Sequence, residues 1–451
     1  MTMQLSLQTL AKIVGCETKQ QDVMVTGAVI DSRAVTKGCL FVALAGEHVD
    51  GHDYLEQARQ AGAAAALVSR LQESDLPQLV VEDVTLAFGL IARYWREQCA
   101  TKVIAITGSN GKTTVKEMTA SILAQQGTVI ATQGNLNNQL GVPLTLMRLD
   151  KTTDFAVIEM GASQQGDIAY LVTMATPQVA LVNNVSAAHL EGFGDLQGVA
   201  TAKGEIYAGL ADDGIAIVNH DLDLNSEWQY VLASQQQVSF ALEGGADITA
   251  NSLELTAKSS YFMVKVADEF LSIHLPLPGL HNIANALAAI AVTSSLNIKN
   301  PNIIKGLQSI SAVPHRLQLR TGFNQSQLID DSYNANPASY HHALAVLSSF
   351  AGHHYLVLAD FGELGDDSVT FHAQMGLDAK QAGVQRLFTL GQQSHHASQS
   401  FGEGAQHFDD MDSLADSLKQ ILNKDTVCLI KGSRFMQLDK LADQLAIEGE
   451  V

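Results

Sequence analysis

The stretch T-G-S-N-G-K-T-T at residues 107–114 combines the residue types that hold phosphate. Gly108 and Gly111 allow a tight turn that presents backbone N–H groups, and Lys112 adds an ammonium. Thr113 offers a hydroxyl for Mg²⁺, at the positive end of the helix that we expect to begin near it. A β-branched apolar run precedes the turn, so the order strand, turn, helix predicts a nucleotide-binding loop. The alternative is an ordinary glycine turn, since Ile106 stands where the usual P-loop motif has its first glycine.

Oxygen and amide side chains follow in three further blocks. Glu159 ends the apolar run F-A-V-I-E, and a carboxylate at the carboxyl edge of a parallel strand beside this loop is suited to Mg²⁺. The alternative is a strand-end residue that caps the next segment. The amide-rich block G-N-L-N-N-Q-L-G at residues 134–141 predicts a turn before a helix or strand. Asn282 and Asn285 share one helix face, where they could contact adenine or only cross-link the helix.

The composition limits the class of protein. The chain has 451 residues, 46% of them hydrophobic and 16% charged, with a formal net charge of -20. These values predict packed globular domains and disfavour binding to nucleic acid or anionic lipid. Four scattered cysteines fit neither a disulfide framework nor a zinc site. With no signal peptide and no membrane-spanning run, we expect a cytoplasmic protein without membrane insertion.

The elements that must position these residues alternate between short apolar strands and helices. Runs such as V-I-A-I-T, F-A-V-I-E and V-A-L-V predict a mostly parallel sheet, and residues 248–276 predict an antiparallel insertion. The alternation restarts after residue 314 as a second α/β unit. We therefore predict three domains, at residues 1–100, 101–313 and 314–451. The His pairs at 341–342, 353–354 and 395–396 lack a metal-ligand context, and we expect them on the surface or in loops.

The phosphate loop, in a central domain with a domain on either side, resembles that of the Mur ligase family. Those ATP-dependent ligases build the peptide stem of the bacterial cell-wall precursor. The resemblance covers essentially the whole chain and implies an α/β fold of three domains. These are an N-terminal α/β domain for the UDP-sugar, a central P-loop-type ATPase domain with a mostly parallel sheet, and a C-terminal Rossmann-like domain.

The resemblance implies a nucleotide and metal site. The loop residues expected to contact ATP are Thr107, Gly108, Ser109, Asn110, Gly111, Lys112, Thr113 and Thr114. Glu159 matches a magnesium ligand, and His189 matches a residue near a second magnesium, although a lone histidine is more often structural. Lys203 matches the K-G-E-I lysine of the family, which implies carbamylation. From composition alone Lys203 is an ordinary solvated helix lysine.

The remaining implied residues surround that site. Asn135, Asn137, Asn138 and Thr145 would line the path between ATP and the sugar-peptide substrate, and Asn282 and Asn285 would lie at the nucleotide. Arg316 matches an arginine that contacts phosphate on closure. Asp331 matches the acid that binds the ribose hydroxyls, with Asp330 in its place if the register slips. Ser32 and Arg33, in the block D-S-R, would hold the uridine diphosphate.

The block D-D-S-Y-N-A-N-P at 330–337 is similar to the segment that distinguishes one member of the family, so the resemblance implies addition of D-alanyl-D-alanine to UDP-N-acetylmuramoyl-tripeptide through an acyl phosphate. Lys112, Arg316 and Mg²⁺ would neutralise the transferring phosphoryl group. We expect a monomer. The alternatives are a related Mur or folylpolyglutamate-type ligase, or a P-loop ATPase that acts as a switch or binding protein.

Overall fold

The computed structural model describes residues 3–186 and 190–447. Within these ranges the strands form four sheets of two, four, nine and six strands. The three larger sheets follow one another along the chain, and helices cover them. The predicted mixed α/β fold with mostly parallel sheets is confirmed. No helix in these two ranges combines the length and apolarity that a bilayer crossing requires.

The first unit is built on a parallel sheet with order β3-β4-β5-β6, and a short antiparallel pair, β1 and β2, lies before it. Both faces of this sheet are buried, with Leu40 and Val42 on one side and Phe41 on the other. The last helix of this unit, α3, contacts the second unit: Trp95 Nε1 donates to the backbone oxygen of Leu149 at 2.9 Å. The strands are β1 (Leu5–Ser6), β2 (Met24–Val25), β3 (Ala28–Val29), β4 (Leu40–Val42), β5 (Ala65–Val68) and β6 (Gln78–Val80). The helices are α1 (Leu7–Val14), α2 (Leu55–Ala61) and α3 (Val84–Glu97).

The second unit carries the phosphate loop. Its sheet has the order β15-β14-β13-β12-β11-β10-β7-β9-β8; the pairs from β8 to β13 are parallel, and β13 to β15 are antiparallel as predicted. Alternate residues of β7 enter different cores, because Ile104 faces α4 and α10 while Val103 faces α3 and α6. The strands are β7 (Lys102–Thr107), β8 (Val129–Ala131), β9 (Phe155–Glu159), β10 (Val179–Val182), β11 (Ile215–Asn219), β12 (Gln236–Ala241), β13 (Ile248–Leu255), β14 (Ser260–Val266) and β15 (Glu269–Leu275). The helices are α4 (Lys112–Leu123), α5 (Gly141–Leu146), α6 (Asp167–Ala175), α7 (Leu190–Phe193), α8 (Leu196–Ala208), α9 (Gln229–Leu232), α10 (Leu280–Ser295) and α11 (Asn300–Gln308).

The third unit has the sheet order β16-β17-β21-β18-β19-β20, with β16 as its antiparallel edge strand. Leu356 and Leu358 face a core shared with α12 and α13, and Val357 faces the opposite core under α15 and α16. The strands are β16 (Gln318–Thr321), β17 (Gln327–Asp331), β18 (His353–Ala359), β19 (Arg386–Leu390), β20 (Ala405–Phe408) and β21 (Thr426–Lys431). The helices are α12 (Pro337–Ser348), α13 (Ser368–Gln381), α14 (Ser394–Phe401), α15 (Met411–Ile421) and α16 (Leu438–Leu445).

The expectation that the His pairs lie on the surface or in loops is confirmed for the surface, because each of these residues is exposed or partly exposed, but none of them lies in a loop. His341 and His342 belong to α12, His353 and His354 begin β18, and the pair at 395–396 belongs to α14. Among the described residues, no group of three or more His, Cys, Asp or Glu side chains is arranged to hold a metal. The phosphate loop after β7 and Glu159 at the end of β9 lie at the carboxyl ends of parallel strands, where open α/β sheets bind their ligands.

Candidate active site

The phosphate loop lies between β7 and α4, as its motif predicts. Gly111 is the N-cap of α4 with φ +74°, a conformation that favours glycine. A Cβ atom there would lie 2.4 Å from Oδ1 of Asn285 and 2.8 Å from Nδ2 of Asn183. These two buried amides are hydrogen bonded to each other at 2.9 Å. The glycine therefore allows a buried amide pair to close against the loop.

The tip of the loop is held by residues that follow β10. The Ser109 N–H donates to the backbone oxygen of Asn184 at 3.0 Å, and the Asn110 N–H donates to Asn184 Oδ1 at 2.7 Å. The Asn110 side chain donates from Nδ2 to Ser186 Oγ at 2.9 Å. Asn184 and Ser186, which follow β10, therefore fix the shape of the loop tip.

The Lys112 ammonium folds back over its own loop. It donates to the backbone oxygens of Gly108 at 2.8 Å and Ser109 at 3.4 Å. Burial lowers the pKa of Lys112, the Glu159 charge opposes this shift, and the Arg316 charge adds to it. A polyphosphate placed on the loop would give this cation anionic oxygens in place of neutral carbonyls.

Glu159 is joined to the loop through Thr113. The carboxylate is 2% exposed, and it accepts from Thr113 Oγ1 and from Asn137 Nδ2, each at 2.8 Å. The parallel pairing of β7 with β9 sets Glu159 beside Ile106, at the start of the loop. A hydroxyl and a carboxylate so close together form an oxygen donor set of the kind that Mg²⁺ prefers.

Lys203 is a buried residue of α8 rather than a solvated one. It is 3% exposed, and its Nζ lies 5.9 Å from the centre of the Phe193 ring. Burial lowers the pKa of Lys203 to about 7, with a further contribution from Lys112. A substantial fraction of this amine is therefore neutral near pH 7. The predicted ligand His189 lies outside the described residues.

The amide-rich block positions side chains towards both Glu159 and α5. Asn137 reaches the Glu159 carboxylate, while Asn138 Oδ1 accepts from the N–H of Gly141, the first residue of α5, at 3.0 Å. The prediction that Thr145 lines the substrate path is not what the structure shows. Thr145 is fully buried in α5, and its hydroxyl donates to the backbone oxygen of Gly141 at 3.0 Å. Its polar atom is satisfied one helical turn back.

The two asparagines of α10 both face the loop and cross-link their own helix. Asn282 Nδ2 donates to the backbone oxygen of Pro278 at 2.8 Å, and Asn285 Nδ2 donates to Asn282 Oδ1 at 3.3 Å. Both side chains are nearly buried, at 6% and 5% exposed. The structure thus shows the cross-link within the helix, and contact with adenine stays a prediction.

The third unit contributes an arginine and an ion pair. The Arg316 guanidinium lies 4.1 Å from the centre of the Tyr333 ring. Asp331, at the end of β17, accepts from Lys431 Nζ at 2.5 Å across the pairing of β17 with β21. Asp330 points the other way, is fully buried and accepts from Arg320 at 3.0 Å. Asp331 is therefore the acid that faces the site.

Ser32 and Arg33 lie apart from this arrangement. Arg33 is paired with Asp31 at 2.7 Å, and Ser32 Oγ lies 3.2 Å from Gln57 Oε1. The guanidinium hydrogen bond lowers the pKa of Asp31 to about 2. Both predicted residues remain on the surface of the first unit.

A cavity of about 1510 Å³ unites the other groups, and residues of all three units line it. The predicted residues that line it are Gly108, Ser109, Asn110, Gly111, Lys112, Thr113, Thr114, Asn135, Asn137, Asn138, Glu159, Lys203, Asn282, Asn285, Arg316 and Asp331. Thr107 does not, because it is fully buried and its hydroxyl donates to the backbone oxygen of Met160 at 2.8 Å. Thr145, Ser32 and Arg33 also lie outside the lining.

Sequence reasoning missed several residues of the lining, among them Lys431, Tyr333 and Asn336. Lys431 had a usable signal, because it ends the apolar run T-V-C-L-I-K in the same way that Glu159 ends its own strand. The roles of Tyr333 and Asn336 depend on contacts between distant parts of the chain, which no local pattern reveals.

Comparison with known proteins places each unit in one family. The Mur ligase family, catalytic domain, matches residues 24–91; the Mur ligase middle domain matches 106–293; and the Mur ligase, glutamate ligase domain, matches 315–434. The chain is 45% identical over 448 residues to a UDP-N-acetylmuramoyl-tripeptide--D-alanyl-D-alanine ligase of Escherichia coli, covering 98% of this chain and 99% of that protein.

Solved structures agree in fold. A crystal structure of MurF from Acinetobacter baumannii matches with a TM-score of 0.90 at 35% identity, covering 98% of this chain and 99% of that one. MurF ligase from Thermotoga maritima, in complex with ADP, matches with a TM-score of 0.83 at 28% identity, over 93% and 96% of the two chains. With its phosphate loop, its three units and relatives aligned over nearly its full length, the chain belongs to the Mur ligase family.

Proposed function

We propose that the protein is an ATP-dependent ligase that joins D-alanyl-D-alanine to UDP-N-acetylmuramoyl-tripeptide in peptidoglycan precursor synthesis. The observation that carries this proposal is that Lys112, Glu159 and Arg316 line the same cavity. The Escherichia coli relative named for this reaction, aligned over nearly the whole chain, supports the choice of substrates.

The reaction needs no covalent nucleophile from the protein. The terminal carboxylate of the tripeptide attacks the γ-phosphate of ATP, ADP leaves, and an acyl phosphate forms. The amine of D-alanyl-D-alanine then attacks the acyl carbon, phosphate leaves with the bonding electrons, and the amine proton passes to solvent or a base. Lys112 and Arg316 stabilise the negative charge on the transferring phosphoryl group and fix its position.

The residues present fit the proposed metal and carbamate. Thr113 and Glu159 already share a hydrogen bond, so the same oxygens could hold Mg²⁺. Lys203 fits carbamylation because its amine is buried and partly neutral, and the neutral amine is the form that adds CO₂. The carbamate would supply oxygen ligands, and His189 stays a predicted ligand. Bound Mg²⁺ would neutralise phosphate charge.

The three units suggest a division of labour. We assign residues 1–100 to the UDP-sugar, with Ser32 and Arg33 at the diphosphate, because a hydroxyl and a guanidinium fork suit that group. Residues 101–313 would bind ATP, and residues 314–451 would bring the dipeptide. Asn135, Asn137 and Asn138 would line the path between ATP and the tripeptide. A monomer in the cytoplasm stays a prediction.

The test is phosphate release from ATP and Mg²⁺, with the UDP-tripeptide and D-alanyl-D-alanine added singly and together. We expect release to require both substrates and to match a new UDP-pentapeptide, measured by mass. Release that ignores both substrates would favour an ATPase switch, and turnover with a folate would favour a folylpolyglutamate-type ligase. Either result would contradict the proposal.

A further inference from the structure

One hydrogen bond joins the third unit to the phosphate loop. Asn336 Nδ2 donates to Asn110 Oδ1 at 2.7 Å, across 226 positions of sequence. Asn336 is also the N-cap of α12, where its Oδ1 accepts from the Ser339 N–H at 2.9 Å. The two ends of one amide thus have separate partners: the oxygen caps the helix, and the nitrogen reaches the loop.

This bond determines how the Asn110 side chain is turned. Asn110 Nδ2 donates to Ser186 Oγ at 2.9 Å, while its Oδ1 accepts from Asn336. A reversed Asn110 amide would set its NH₂ group against that of Asn336 and lose this bond, whereas the Ser186 hydroxyl can bond either end, so the contact with Asn336 determines the orientation. The Asn110 backbone oxygen accepts from Asn183 and Asn184, and its N–H donates to Asn184. The bond from Asn336 is therefore one of the hydrogen bonds to Asn110 that together determine the shape of the loop tip.

The same helix docks on the start of α10 nearby. The His342 ring stacks on His281 with centroids 5.0 Å apart and an 11° angle between the planes. A Cβ atom added at Gly279 would lie 3.3 Å from Val346 Cγ2. His342 and Val346 are four residues apart and share one face of α12. The bond from Asn336 to Asn110 thus lies next to a packing contact between α12 of the third unit and the start of α10 of the second unit.

We propose that Asn336 is a positioning residue that couples docking of the third unit to the shape of the phosphate loop. The inference rests on the proposed function, in which the third unit brings the dipeptide. Docking of α12 fixes Asn110, and Asn110 lies between the glycines that shape the loop under Lys112. ATP is then cleaved most efficiently when the incoming amine is in place, so the acyl phosphate meets the amine rather than water.

Two substitutions separate the loop contact from the cap. Asn336→Ser and Asn336→Thr both keep an oxygen that caps α12, and both remove the amide donor without adding charge. We expect kcat to fall about 3- to 10-fold, the value of one neutral hydrogen bond. The KM for the UDP-tripeptide should not change, and phosphate released per pentapeptide should rise above one.

The matched control is Ser339→Ala, which removes the reciprocal half of the capping box, the bond from the Asn336 N–H to Ser339 Oγ at 3.1 Å. It weakens the same helix start and leaves the Asn336 amide in reach of Asn110. We expect a lower Tm with nearly unchanged kcat. A fall in kcat equal to that of Asn336→Ser would overturn the proposal, because the cap alone would explain the effect.

A double-mutant cycle with Asn110→Ser tests the contact itself. If the two amides act as one unit, the double variant should lose no more kcat than Asn110→Ser alone, which also removes the bond to Ser186. Multiplied losses, or wild-type kcat and one phosphate per product in both Asn336 variants, would overturn the inference. Substrate dependence of the wild-type chain tests the proposed function separately. The cycle is measured on ATP turnover, so it remains informative even if that proposal fails.

Discussion

Replacing Gly111 with alanine tests how tightly the phosphate loop is packed. The left-handed backbone at φ +74° costs a non-glycine residue about 1–2 kcal/mol. The new Cβ would also lie 2.4 Å from Asn285 Oδ1, which no side chain tolerates without movement. Moving that amide breaks its 2.9 Å bond with Asn183 and leaves buried polar groups unpaired, for about 1–3 kcal/mol more. The expected total is about 2–5 kcal/mol.

Gly15→Ala is the matched control. Gly15 has φ +69° and no atom within 4 Å of an added Cβ, so it reports the backbone cost alone. Thermal unfolding with and without ADP and Mg²⁺ measures both variants, and about 1 kcal/mol shifts the Tm of a domain of 150–250 residues by about 2–4 °C. We expect Gly111→Ala to unfold well below Gly15→Ala and to lose most of the stabilisation by ADP.

A second variant isolates the cause. In Gly111→Ala/Asn285→Ala the oxygen that meets the new Cβ is gone, so the double variant should be more stable than the two single losses combined predict. The reasoning is refuted if Gly111→Ala unfolds together with Gly15→Ala and retains its stabilisation by ADP.

Three further predictions concern charge. Lys203→Arg keeps a cation but loses the amine that could add CO₂, so phosphate release should fall at least about 10-fold, whereas an ammonium role would preserve much of it. Glu159→Gln retains groups that can bond Thr113 and Asn137, so Tm should change little while the Mg²⁺ concentration for half-maximal release rises about 10- to 100-fold. Burial lowers the pKa of His281 to about 3, so the folded chain binds fewer protons than the unfolded chain below pH 6.5. The contribution of neutral His281 to the free energy of unfolding is therefore complete above pH 6.5 and is lost towards pH 3, by up to about 1.4 kcal/mol per pH unit. As the pH falls, the Tm of His281→Gln should therefore fall less steeply than the Tm of the wild-type chain.

The phosphate loop and its strands could be predicted because their signals are local. Gly108, Gly111 and Lys112 are neighbours in sequence, and the apolar runs beside them predicted β7 and β9 to within two residues. Glu159 followed from a topological rule, since the carboxyl ends of parallel strands share one edge. The same rule applied to Lys431 would have found its ion pair with Asp331.

Burial and long-range hydrogen bonds could not be predicted in this way. Lys203 has the composition of a solvated lysine, and only packing under Phe193 and the neighbouring helices makes it a buried amine. Thr145 has the same hydroxyl whether it faces a ligand or its own helix. The bond from Asn336 to Asn110 depends on how two units dock, which lies beyond any short pattern.

The charge of the site opposes the charge of the chain. A protein with a formal net charge of -20 repels an anionic nucleotide at long range, so binding must depend on local cations. Burial lowers the pKa of Lys203, and the nearby Lys112 cation lowers it further. A polyphosphate between them would reverse this effect and favour both charged forms. If Lys203 is carbamylated instead, the same position becomes anionic and attracts Mg²⁺. The neutral amine of Lys203 can thus either gain a proton and become an ammonium that attracts phosphate, or add CO₂ and become a carbamate that attracts Mg²⁺. Burial of this amine favours its neutral form, from which both products can be reached.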